Sequence, residues 1–186
     1  MNKIPTVFVR DENNRRYVTN EVTPGCEWVL AHEGVATRKY DGTCVMFDGE
    51  RWWARREVKT GKETPEGFVP IENDDVTGKT VGWEPVEQSG FAKFHAEAVV
   101  HCEKILRHPH PPGTYELCGP KVNGNPEHYD EHLLIPHGKL NVDHMPRDFD
   151  GLKKSLTSDS WDAEGIVWHH PDGRMAKIKK RDFPRV

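Results

Sequence analysis

The sequence predicts an α+β protein in which antiparallel β-sheets are packed with helices. Two patterns carry that expectation: short runs of β-branched and aromatic residues recur between turn signals, while only one long stretch repeats its apolar residues at helical spacing. At 186 residues, 35% of them hydrophobic, the chain can bury a core of its own, so a single domain spanning 1–186 is expected. No internal repeat, low-complexity tract or linker divides it.

Taken in order, Thr6–Val9 and residues 15–19 flank Asp11-Glu12-Asn13-Asn14, which places a β-hairpin in the N-terminal region 1–30. Trp28–Ala31, Thr43–Phe47 and, after the Asp48-Gly49 turn, Arg51–Arg55 have strand character. Lys39 then stands just ahead of a strand. Residues 59–78 are mostly polar and broken by Pro65, Gly67 and Pro70, which predicts a loop or a lid over a site. Phe91, Phe94, Ala98 and Ile105 mark a helix from Glu87 to about Arg107, stopped by His108-Pro109. Gly113–Cys118 and His132–Ile135 read as central strands and Asp148–Leu156 as a short helix. Gly165–His169 and Arg174–Ile178 pair around Pro171-Asp172-Gly173.

A net charge of −4 excludes a protein that coats nucleic acid over its whole surface, so any such contact is a local patch. Cys26, Cys44, Cys102 and Cys118 are scattered without a CxxC pair, and no apolar leader opens the chain, which predicts a reduced, cytoplasmic protein. No stretch approaches the roughly 20 apolar residues of a membrane span, and no obligate protein partner is evident. His108-Pro109-His110 and His169-His170 lack the spaced partners of a structural zinc site and read as core or solvated residues.

A smaller set of residues carries chemistry. Lysine ionises at about 10.4, so a lysine nucleophile needs a site that favours its neutral form, through burial or nearby positive charge. Lys39 is followed by Asp41-Gly42, and Gly42 permits close backbone approach. Taken alone, Lys-x-Asp-Gly is an ordinary surface turn. Lys177 and Lys179 alternate with Ala176 and Ile178, which on a strand sends both ammonium groups to one face. Arg55 and Arg56 fall on opposite faces, so one of them can offer its fork to phosphate oxygens. Glu116 lies in an otherwise apolar strand and needs a partner, for which a ribose hydroxyl or metal-bound water would serve. Glu164 precedes the apolar Gly165-Ile166-Val167-Trp168, and with Glu116 it makes a carboxylate set suited to a divalent metal that keeps its waters.

Together these residues resemble the covalent nucleotidyltransferase superfamily, the ATP-dependent polynucleotide ligases and mRNA capping enzymes. Lys39-Tyr40-Asp41-Gly42 resembles motif I, Arg55 falls at motif Ia, Tyr115-Glu116-Leu117 resembles motif III, Glu164-Gly165-Ile166-Val167 motif IV and Lys177-Ile178-Lys179 motif V. A narrower resemblance, in patches over about residues 30–183, adds Asn123-Gly124-Asn125-Pro126, His132–Gly138 and Trp168-His169. It points to the small 5′-to-3′ RNA ligase family that includes the vertebrate RNA ligase 1.

The resemblance implies a nucleotidyltransferase core and an ATP-dependent RNA ligase using Mg2+ or Mn2+. Lys39 would take AMP from ATP, pass it to an RNA 5′-phosphate, and a 3′-hydroxyl would displace it. Asp41, Lys177 and Lys179 would assist catalysis. Arg55, Glu116, His137, Lys177 and Lys179 would contact the nucleotide, with Glu116 at the ribose and the Ile135-Pro136-His137 region near the base. Glu164, with Glu116, would serve the metal. Arg56, Lys180 and Arg181, with Arg185, would form the RNA patch. Arg38 departs from the acidic residue some relatives carry before the nucleophile, and the few residues after Lys179 lead to the expectation of no C-terminal OB-fold. A capping-type guanylyltransferase and a non-catalytic RNA-end or nucleotide-binding module are the alternatives; an intact set of Lys39, Glu164, Lys177 and Lys179 speaks against the second.

Overall fold

The computed structural model describes residues 3–74 and 77–184. In chain order its elements are β1 (Phe8–Arg10), β2 (Val18–Val22), α1 (Glu27–Leu30), β3 (Val35–Lys39), β4 (Thr43–Phe47), β5 (Trp52–Lys59), β6 (Val69–Asp74), β7 (Lys79–Pro85), α2 (Ala92–Leu106), β8 (Gly113–Cys118), β9 (Leu133–Pro136), α3 (Phe149–Thr157), β10 (Gly165–His169) and β11 (Met175–Lys179). They divide into two compact units: a flanking unit of Ile4–Tyr40 with Gly138–Val186, and a central unit of Asp41–His137 with the start of the chain. The architecture is sheet-rich with few helices. Among the described residues no helix is long and apolar enough to cross a membrane.

In the flanking unit, β3, β10 and β11 form an antiparallel sheet in the order β11-β10-β3. The Pro171-Asp172-Gly173 turn makes β10 and β11 a hairpin, as its turn residues predict. Both outer edges of this sheet are covered. Lys177 exchanges backbone bonds with Pro5 and Val7, while Arg38 and Val142 bond across to Leu140 and Ala36. One face is fully buried through Ala36, Ile166, Trp168, Ala176 and Ile178 and packs with Leu152 and Leu156 of α3. Asp148 caps α3, accepting the Gly151 N–H at 2.8 Å. The opening hairpin is present as β1 paired with β2.

The central unit is built on one antiparallel sheet in the order β6-β7-β5-β4-β8-β9. Val45, Ala54, Tyr115 and Leu117 share the face that packs on Ala98 and Cys102 of α2. Strand alternation sends Cys44, Arg55 and Glu116 to the other face.

Several sequence expectations need correction. Trp28–Ala31 is not a strand. Glu27 folds its carboxylate back to the Gly25 N–H at 2.9 Å, and Arg147 takes the carbonyls of Val29, Glu33 and Gly34 at 3.3, 2.5 and 2.9 Å, so a single helical turn is held at both ends. Residues 59–78 are not a continuous loop. Val69–Asp74 forms an edge strand on β7, and a register shift between Pro70 and Glu72 accommodates the proline there. Residues 75 and 76 of that stretch lie outside the described residues. The long helix begins later than Glu87, since a 3-10 turn at Val86–Gln88 precedes it and Ser89 turns its hydroxyl to the Val86 carbonyl. It ends at Arg107, which takes the left-handed conformation ahead of His108-Pro109. Lys39 stands not only before β4 but at the end of a further strand, β3.

Candidate functional site

The flanking unit gathers Lys39, Glu164, Lys177 and Lys179 on one sheet. Register places Lys39 opposite Gly165 and Gly165 opposite Lys179, with Thr37, Val167 and Lys177 in the next row. The period-2 alternation that buries Ala176 and Ile178 therefore puts Lys39, Lys177 and Lys179 on one face, as predicted for the last two. Gly165 leaves the middle of its row bare. A Cβ there would collide with the Ile178 carbonyl oxygen and lie 2.8 Å from the Lys179 Cα, both backbone atoms of the neighbouring strand. Close pairing of β10 with β11 thus requires glycine at this position.

Glu164 supplies the countercharge. One carboxylate oxygen accepts from Lys39 Nζ and the other from Lys179 Nζ, and the Glu164 side chain is 9% exposed. Burial pushes its carboxyl up, but Lys39 and Lys179 outweigh burial and hold it below the usual range. The result is a partly buried anion between two cations, with Lys177 on the same face. Lys39 Nζ also reaches the Tyr40 carbonyl at 3.4 Å. Arg38 lies on the opposite face of β3, donating to Asp162 at 2.7 Å and stacked over Tyr40 at 5.2 Å.

The basic residues after β11 divide. Arg181 is 69% exposed and lies 3.8 Å from Glu164. Lys180 is tied to the Ser158 and Trp161 carbonyls at 3.3 and 3.1 Å, which anchors the 158–161 loop. Arg185 lies outside the described residues.

The central unit holds a second constellation. Glu116 is buried on β8. Its Oε1 accepts the Gly42 N–H at 3.0 Å and its Oε2 meets His137 Nε2 at 2.7 Å, while His137 Nδ1 meets Thr114 Oγ1 at 3.0 Å. The partner that a buried carboxylate requires is therefore supplied from within the unit. Asp41 and Gly42 are gripped by residues the sequence reading did not single out for a role. Asn123 Nδ2 donates to the Gly42 carbonyl at 2.6 Å and to Asp41 Oδ1 at 3.3 Å, and Glu127 accepts the Asp41 N–H at 2.8 Å. Left-handed asparagines mark such loops, and Asn123 and Asn125 have φ of 49° and 59°. Arg55 is mostly buried, lies 3.8 Å from Glu57 and has an Nε with no hydrogen-bond partner among the described residues. Arg56 is 51% exposed and 3.7 Å from Glu84.

Chemically, the flanking cluster offers a lysine amine, two further cations and an ionised carboxylate. The central one offers a fixed carboxylate with free acceptor capacity and an arginine. Among the described residues no group of three or more His, Cys, Asp or Glu is arranged to hold a metal ion. A hard cation bound mainly through phosphate and water needs only one or two carboxylates, and ionised Glu164 fits that requirement.

Comparison with known proteins adds to this geometry. The RNA ligase 1 family model matches residues 110–184, which include Glu116, His137, Glu164, Lys177 and Lys179. The chain is 29% identical to RNA ligase 1 of Rattus norvegicus over 80% of this chain and 67% of that protein. Identity to RNA ligase 1 of Mus musculus is also 29%, over 80% of this chain and 66% of that protein. The Pongo abelii RNA ligase 1 is 30% identical over 70% of this chain and 46% of its own length. The chain thus spans about two thirds of the rodent proteins and under half of the Pongo abelii one. By these matches, which take in residues of both the central and flanking clusters, the chain is similar to RNA ligase 1 proteins.

Proposed function

We propose that this protein is an ATP-dependent RNA ligase that joins a 5′-phosphate to a 3′-hydroxyl through a lysyl-AMP on Lys39, carried on a nucleotidyltransferase core. The observation that carries the reading is the row Lys39, Gly165, Lys179 with Glu164 bridging both lysines. A lysine amine flanked by cations on a rigid sheet is what attack on a phosphate requires. The RNA ligase 1 names of the relatives support the substrate class.

In the first step the Lys39 amine attacks the α-phosphorus of ATP. The P–N bond forms, the bond from the α-phosphorus to the bridging oxygen breaks, and pyrophosphate carries away the electron pair. A protonated lysine has no lone pair, so Lys39 must first lose its proton and release Glu164. Lys177 and Lys179 offset negative charge at the α-phosphate, where phosphoryl transfer is most helped by fixed positive charge. Mg2+ or Mn2+ held by Glu164 and phosphate oxygens would supply further charge neutralisation. Glu116 serves the ribose, and Arg55 a nucleotide or RNA phosphate. In the second step the RNA 5′-phosphate displaces Lys39 from AMP. In the third, the 3′-hydroxyl attacks that phosphate and AMP leaves. Arg181 and Arg56, with exposed guanidinium groups, are the RNA phosphate contacts.

The test is the intact mass of the protein after incubation with ATP and Mg2+, beside GTP and NAD. A gain of one AMP with ATP alone, lost in Lys39→Ala, is expected. No adduct from a folded sample free of prior adenylylation would remove the ligase reading and bring forward a nucleotide-binding module.

A further inference from the structure

Asp41 and Gly42 contribute three peptide groups, and each is held by a different side chain. The Tyr40–Asp41 peptide gives its N–H to Glu127 at 2.8 Å. The Gly42–Thr43 peptide gives its carbonyl to Asn123 at 2.6 Å. Between them, the Asp41–Gly42 peptide donates its N–H to Glu116 at 3.0 Å. With the planes on either side pinned, the middle plane cannot rotate on its own. A Cβ at Gly42 would collide with the Leu117 carbonyl oxygen, so the backbone is also pressed onto β8.

The arm that grips this turn is itself preset. Val122 is buried with Leu117 and Leu134, and the backbone bonds Val122 to Gly119, Asn125 to Val122 and His128 to Asn125. The Asn125 side chain closes the loop against both backbone groups of Tyr129. Asn123, Asn125 and His128 have positive φ, a conformation uncommon outside glycine that the packed surroundings hold here, and Gly124 between the asparagines adopts it without strain. Such a loop delivers two side chains to fixed places.

We propose that Asn123 and Glu127 are positioning residues for ribose recognition: they clamp the Asp41–Gly42 turn so that the Gly42 amide, opposite His137, fixes the Glu116 carboxylate for a vicinal diol. This rests on the ribose role given to Glu116 above. Each carboxylate oxygen has two acceptor directions and one is used by the protein, which leaves one on each oxygen for a hydroxyl donor.

Adenylylation kinetics with ATP, 2′-deoxyATP and 3′-deoxyATP test it in wild type, Asn123→Gly, Glu127→Ala and Glu127→Gln. Glycine suits the left-handed backbone at position 123, and glutamine keeps an acceptor at 127. A lost hydrogen bond to a charged group is worth about tenfold or more, so the wild type should prefer ATP over the poorer deoxy analogue by about that factor in kcat/KM. In Asn123→Gly and Glu127→Ala the preference should fall below about threefold, chiefly through KM for ATP, while Glu127→Gln retains it. An unchanged preference in both variants, or an equal loss with all three nucleotides, would overturn the proposal. Calorimetric binding of AMP and 2′- or 3′-deoxyAMP reads the same ratio without chemistry. A wild type that prefers AMP but forms no adduct would remove the ligase reading alone, and the variants' binding ratios would then decide the clamp. A wild type indifferent to both hydroxyls in binding would overturn the clamp.

Discussion

Replacing Glu164 with glutamine tests the electrostatics of the flanking cluster without changing its shape. The carboxylate accepts from two ammonium groups and is 9% exposed, with the lysine side chains at 19% and 16%. Glutamine keeps one acceptor oxygen, so one charge-assisted bond worth about 1.5–3 kcal/mol is lost and the other becomes weaker. Two ammonium groups roughly 5 Å apart would repel by about 3 kcal/mol at an effective dielectric of about 20, and partial exposure lets them swing apart and shed much of that. A net loss of about 2–4 kcal/mol at pH 7 follows. The sign with pH is fixed by the carboxyl being held below its unfolded value of about 4.3. Its contribution is full above that value and is lost as pH falls through the lower folded value, because the unfolded chain takes up the proton first. Urea unfolding followed by tryptophan fluorescence at pH 7, 5.5 and 4 should show wild type and Glu164→Gln separated by the same amount at pH 7 and 5.5, with the gap beginning to narrow only at pH 4. A loss under about 0.5 kcal/mol at pH 7, or a gap that widens toward acid, would refute the reasoning.

Other residues allow independent tests. Gly165→Ala places a methyl against backbone of β11, so a loss of about 1–3 kcal/mol is expected, and an unchanged melting temperature would contradict the close approach. Arg147→Met strands the carbonyls of Glu33 and Gly34 and should cost about 2–4 kcal/mol in urea unfolding, with a near-neutral result removing the α1 clasp. Burial pushes His95, packed edge-on against Trp52, down to about 4. Its neutral form favours the folded state, so stability is full above the unfolded value of about 6.5 and falls below it, by about 2 kcal/mol between pH 7 and 5. His95→Phe should lose about that much less over the same interval, and an equal loss in both proteins would assign the acid sensitivity elsewhere.

The parts of the fold written locally in the sequence were the legible ones. Pro171-Asp172-Gly173 fixes the β10–β11 hairpin, and alternation of Lys177 and Lys179 with Ala176 and Ile178 fixes which side of it is chemical. Asp148 announces α3 as a cap. Trp28–Ala31 reads as a strand because a four-residue run carries no period, and the group that clasps the helical turn, Arg147, is remote in sequence. Val35–Lys39 carries no strand signal because it mixes small, hydroxyl and charged side chains, and its pairing with β10 is long-range. Asn123 and Glu127 had no legible role, since their partners are backbone atoms of Asp41 and Gly42 more than 80 positions away. An Asn-Gly-Asn run was the available signal, because asparagine and glycine mark left-handed backbone.

Register is what turns separated sequence motifs into one cluster. β10 pairs with β3 on one side and β11 on the other, so Lys39 and Lys179 meet the same residue, Gly165, although they lie at distant points of the chain. A one-residue slip of β11 would carry Lys177 and Lys179 to the face now filled by Ala176 and Ile178, burying two ammonium groups among Ile166, Trp168 and Leu152. Unpaired charges in such a core cost several kcal/mol each, far more than a ladder of backbone bonds gains by shifting. The apolar face therefore holds the register, and the register holds the chemistry: the same alternation that builds the core of the flanking unit sets the lysines on either side of Gly165 with Glu164 between them.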